Sequence, residues 1–154
     1  MPEQVLGDTM LRQHVATLPV PEFAETAWTP PPALKDARVA IVTSAALYPQ
    51  GTDPFVAGDT SYRALDGAER KFVLGHWSPN FDRSAFAIDH NVVYPVDRLH
   101  ELAAEGTIGS VAPRHFAFAG NQPDDVATVR LDSGPACAAE MKADGVDVVI
   151  LTPV

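Results

Sequence analysis

Two short runs that are apolar at every position, Val39-Ala40-Ile41-Val42 and Val148-Val149-Ile150-Leu151, constrain this chain more than anything else in it. A strand can do without polar alternation only when both its faces are covered, as in a parallel sheet flanked by helices. Thr43-Ser44 closes the first run and Thr152 the second. In open α/β sheets such carboxyl ends are where a ligand sits. The expected fold is therefore α/β: a three-layer, Rossmann-like or flavodoxin-like parallel sheet with flanking helices.

The length of 154 residues suits one domain with a core of its own. Pro19, Pro21, Pro30, Pro31 and Pro32 break the first 36 residues into pieces too short for a long helix or a central strand. We expect a Pro-rich arm over residues 1–36, with a brief helix near Val5 to Leu18 and with Phe23 and Trp28 as anchors, and the α/β domain over 37–154. A net charge of -9 argues against nucleic acid and acidic membrane surfaces as partners. No apolar run approaches the roughly 20 residues of a membrane span. The start lacks a basic region followed by an apolar core, and a single cysteine excludes an internal disulfide framework. A cytoplasmic location is the expectation.

Between the two strong strands the signals are mixed. Residues 45–66 read as a long irregular connection, punctuated by Pro49, Gly51, Pro54 and Gly58. Arg70 to Leu74 reads as a strand, followed by a polar loop from Gly75 to Ser84. Val92-Val93-Tyr94 reads as a strand-like core ending at Pro95. Asp97 to Glu105 puts Leu99, Leu102 and Ala103 on one helical face, with Gly106 as the stop. Ile108 to Val111 and Arg114 to Phe118 read as short strands. A short helix is expected from Pro123 to Leu131, and another starts at Pro135 and stops at Gly145.

The combination Pro54-Phe55, Gly58-Asp59-Thr60-Ser61-Tyr62-Arg63, His76, Asp89-His90-Asn91-Val92-Val93-Tyr94-Pro95-Val96-Asp97-Arg98-Leu99-His100-Glu101-Leu102, Gly106-Thr107-Ile108-Gly109, His115 and Gly120 resembles the selenoprotein B family of glycine, sarcosine, betaine and D-proline reductases. The resemblance begins near residue 35. It implies an oxidoreductase that reductively cleaves a carbon–nitrogen bond of a small amine or amino acid such as glycine, sarcosine, betaine or proline. It also implies a selenocysteine or cysteine immediately after the Val-Ile-Leu-Thr strand, downstream of Val154, which catalysis would require. A selenocysteine codon read as an ordinary stop would end the chain at this point. The implied partners are a dithiol reductant, a thioredoxin-like or other reductase subunit, and homo- or hetero-oligomeric assembly. A non-catalytic α/β binding or assembly subunit of a larger redox complex is the alternative.

The chemistry narrows the candidates. Cleaving a carbon–nitrogen bond requires protonating the leaving amine, and histidine titrates near neutrality. His90, Asp89 and His76 are the catalytic candidates, although histidines bonded at loop ends fit the sequence as well. Asn91, Asp82, Arg83, Arg63 and Thr152 are the substrate-binding candidates, an arginine being suited to clamp a carboxylate through paired hydrogen bonds. The His and Asp spacings match no compact zinc pattern, so no metal is expected. Cys137 reads as a small buried helical residue that does not replace the missing nucleophile. No turn after a strand supplies the glycine pattern of a nucleotide phosphate site.

Overall fold

The computed structural model describes residues 9–10, 12–14, 16–17, 24, 26–78, 81, 83–120, 122 and 126–154. Phe23 and Asp82 lie outside the described residues. The chain forms β1 (Arg38–Thr43), β2 (Leu47–Pro49), β3 (Tyr62–Asp66), β4 (Phe72–Leu74), α1 (Arg83–Ile88), α2 (Val96–Ala104), β5 (Ser110–Val111), β6 (Arg114–Phe118), α3 (Gly134–Ala143) and β7 (Val148–Thr152).

β1 is the centre of the main sheet. β7 runs parallel along its whole length, from Val39↔Val148 to Thr43↔Thr152. β5 and β6 are also parallel to β1, at Arg38–Val39 and Val42–Thr43 respectively. A strand has two hydrogen-bonding edges, so β5 and β6 share the one that β7 leaves. β3 closes that side antiparallel to β6. The sheet is thus mixed, not wholly parallel as the apolar runs alone imply. β2 and β4 form a separate antiparallel pair.

Alternation along β1 sorts the core. Val39 and Ile41 pack with Leu65, Ala117, Tyr94, Val96, Leu99 and Ile108 under α2. The opposite face carries Tyr62, whose ring meets Phe116 and Phe118 at 5.7 and 5.6 Å and which α3 reaches through Glu140. α2 needs its apolar stripe for this packing. A turn of π-helix over Val129–Ser133 leads into α3, and Pro135 lies in its first turn, where no N–H is missed. Gly106 and Gly145 follow the two helices at φ +74° and +71°.

Three local expectations change. Val92-Val93-Tyr94 forms no strand: residues 90–92 make a 3₁₀ turn, because the Asp89 carboxylate accepts the Asn91 N–H and caps it. Residues 62–66, inside the connection expected to be irregular, form β3. β7 is covered on one face only, and Leu151 is 71% exposed. Trp28 is likewise 73% exposed and lines a shallow cleft with Met141 and Val148. Among the described residues no helix is long and apolar enough to cross a membrane.

Candidate functional site

The carboxyl ends of β1, β6 and β7 converge on a cleft of about 170 Å³ lined by Thr43, Ser44, Phe118, Leu151, Thr152 and Pro153. The hydroxyl residues that end β1 and β7 hold it in shape. Ser44 Oγ accepts the Val154 N–H at 2.9 Å, and the Ser44 N–H donates to the Thr152 carbonyl at 3.2 Å. Thr152 Oγ1 donates to the Val93 carbonyl at 2.9 Å, tying the strand end to the turn before α2. Ala46, in the turn that leaves β1, takes φ +53° although it is not glycine, a left-handed conformation that costs about 1–2 kcal/mol.

His76 lies at this end of the sheet, 3% exposed, with its ring stacked on Phe81 at 4.7 Å. Its Nδ1 accepts the Ser78 N–H at 3.3 Å, so the ring proton belongs on Nε2. Nε2 is buried without a hydrogen-bond partner. Burial pulls the ring's pKa down, with the nearby Arg83 cation acting the same way, against the opposing pull of the Val154 backbone. That backbone lies beside the ring, yet nothing meets Nε2 in hydrogen-bond geometry. Arg83, at the start of α1, donates from Nη2 to the His76 carbonyl. Gly120 closes the other side: a Cβ there would lie 2.5 Å from His76 Nε2 and 2.7 Å from the Ser44 carbonyl oxygen.

The remaining candidates gather elsewhere. Asp89 Oδ1 accepts from Asn91 N and Nδ2 at 2.9 and 2.8 Å. Asn91 Oδ1 accepts the Asp97 N–H at 3.1 Å, and its Nδ2 donates to Asp97 Oδ2 at 3.0 Å. Arg70 Nε donates to Asp97 Oδ1 at 2.9 Å. The result is a polar latch on the first turn of α2, and the Asn91 hydrogen bond first of all holds the Asp97 carboxyl below its usual range. His90 Nε2 lies 3.2 Å from Asp97 Oδ2, out of line for a hydrogen bond. Arg63 pairs with Asp59 at 3.1 Å and stacks over Phe55 at 4.3 Å, which organises the loop before β3. The structure therefore brings His76, Arg83 and Thr152 to the strand ends and holds His90, Asp89 and Asn91 in the latch.

Ser44 and Gly120 complete the strand-end site without having stood out as site residues. Their roles come from contacts across 44 to 154 and 76 to 120, which no local spacing reveals. His115, one of the histidines that the sequence offers for acid–base work, has a structural place instead. It is fully buried, accepts the Ile41 N–H on Nδ1 at 3.0 Å, and leaves Nε2 unpartnered. It supplies an acceptor to β1 where Ala112-Pro113 interrupts the pairing between β5 and β6. Among the described residues no group of three or more His, Cys, Asp or Glu is placed to hold a metal ion.

The sequence pattern that defines the glycine/sarcosine/betaine reductase selenoprotein B family matches residues 8–154. The chain belongs to this family. It is 32% identical over 148 residues to the D-proline reductase subunit gamma of Acetoanaerobium sticklandii, covering 94% of this chain and 60% of that protein. It is 33% identical over 146 residues to the glycine reductase complex component B subunit gamma of Carboxydothermus hydrogenoformans, covering 88% of this chain and 32% of that protein. The corresponding subunit of Symbiobacterium thermophilum is 28% identical over 150 residues, 34% of its length. The chain thus spans 60% of one curated relative and about a third of the others. No solved structure matches it.

Proposed function

We propose that this chain forms the floor of the active site in the gamma-type subunit of a reductase that cleaves the carbon–nitrogen bond of a small amine or amino acid, glycine, sarcosine, betaine and proline being the candidates. The reactive selenocysteine or cysteine follows β7 directly beyond Val154, and a dithiol, delivered by a thioredoxin-like or other reductase subunit, supplies the two electrons. The observation that carries this reading is the buried, unpartnered Nε2 of His76 at the carboxyl end of β1 and β7, in a chain of this family.

The residues present suit such a group. When deprotonated it supplies a nucleophile for the substrate carbon. Ser44 fixes the backbone that leads to it by accepting the Val154 N–H. Thr152 fixes the same segment from the other side. Arg83 places a cation next to His76, where it suits the carboxylate that all four candidate substrates share. Pro153 and Phe118 line the cleft with apolar surface, which strengthens charge interactions by excluding water.

The test is dithiol-dependent carbon–nitrogen cleavage, read as amine release from glycine, sarcosine and betaine and as ring opening to 5-aminopentanoate from proline, by the complex purified from its native source, grown with and without selenium. Cleavage that depends on dithiol supports the reading. No cleavage of any substrate, from a complex that contains the chain intact, would leave the assembly-subunit alternative in its place.

A further inference from the structure

The sequence makes His76 a candidate acid, but its setting suits another task. We infer that His76 is an N–H donor whose Nε2 is reserved for an anion, the selenolate or thiolate that follows Val154. This rests on the reading proposed above.

The geometry supports a donor in three ways. Nδ1 is occupied as an acceptor by the Ser78 N–H, so the neutral ring has one available tautomer. Phe81 stacks on the ring at 4.7 Å and Trp77 at 6.4 Å, fixing the direction of Nε2. Gly120 carries no Cβ that would crowd Nε2, where one would lie 2.5 Å away. A buried donor left without a partner costs about 1–3 kcal/mol, and a site of this kind retains one where a ligand completes it.

Burial first of all lowers the ring's pKa, the Val154 backbone pulls against it, and the facing Arg83 cation lowers it further. A proton on Nδ1 would also break the bond from Ser78. Both effects favour the neutral ring, with its proton on Nε2. A neutral donor stabilises a chalcogenolate and lowers the pKa of its parent acid. It leaves protonation of the departing amine to another group.

The experiment uses the native complex and iodoacetamide, with peptide mapping to locate the label and a pH–rate profile for the residue after Val154. His76→Leu removes the N–H at similar volume, and His76→Gln keeps one. We expect the Leu variant to react roughly tenfold more slowly below the wild-type pKa, with its profile displaced upward by about one pH unit, as loss of one charge-assisted hydrogen bond implies. The Gln variant should stay near wild type. Protection of Cys137 from the same reagent reports folding. If the Leu variant exposes Cys137, the Gln variant carries the test, and a displaced profile there overturns the inference. Identical profiles for wild type and Leu overturn it while leaving the reductase reading intact. A product with no selenocysteine or cysteine after Val154 overturns both.

Discussion

Gly120 stands so close to His76 that a Cβ on it would lie 2.5 Å from the imidazole Nε2. The same Cβ would meet the Ser44 carbonyl oxygen at 2.7 Å. This close approach presses three distant segments together at the strand ends. Gly120→Ala should destabilise the protein by about 1–3 kcal/mol, the usual range for overpacking, read as a fall in the urea midpoint. Adding His76→Leu should recover only part of that, because the Ser44 backbone cannot yield as a side chain does. Full recovery would show that the clash is with His76 alone.

His115 makes stability depend on pH. Burial first of all brings its pKa from 6.5 down to about 4, with the His100 and Arg70 charges acting in the same direction. A depressed histidine means that the unfolded chain binds the proton first. The stabilisation is therefore complete above pH 6.5 and is lost as pH falls from 6.5 toward 4, by about 3 kcal/mol in all. His76, also depressed, adds to the same trend. Urea unfolding between pH 7 and pH 4.5 should show the decline. His115→Gln, which keeps an acceptor for the Ile41 N–H but does not titrate, should flatten it.

Asn91 is the hinge of the latch on α2. Asn91→Ala removes the acceptor for the Asp97 N–H and donors to both Asp89 and Asp97. The expected cost is about 1–2 kcal/mol, as for loss of a helix cap, with faster amide exchange in the first turn of α2. Asp89→Asn keeps the acceptor oxygen for the Asn91 N–H and should cost much less. Equal effects in the two variants would contradict the latch.

Cys137 should be chemically quiet. It is 2% exposed, and burial pushes its thiol up to about 11, with Glu140 adding to the shift. Only the thiolate reacts. Ellman's reagent at pH 8 should modify it at a small fraction of the rate seen in urea.

The parts of the fold that were legible in the sequence carry their signal locally. Val39 to Val42 and Val148 to Leu151 are apolar enough to be strands in almost any setting, and Leu99, Leu102 and Gly106 outline α2 within three turns. Val92-Val93-Tyr94 misled because three apolar residues in a row suit a strand, while the turn is set by side chains at Asp89 and Asn91. β3 was hidden by the prolines and glycines before it, its pairing with β6 being a contact across about fifty residues. Apolar composition also overstated the cover on β7, where Leu151 faces outward. His76 and Arg83 stood out as functional types, and the resemblance added Gly120. That these meet Ser44 and Val154 at one strand end is a tertiary fact.

The most direct test of the central claim is to label the native reductase complex with iodoacetamide and map the modified residue by mass spectrometry. The account predicts a single fast-reacting selenocysteine or cysteine directly after Val154, with Cys137 unlabelled. Fast labelling confined to other positions, with none after Val154, would contradict it.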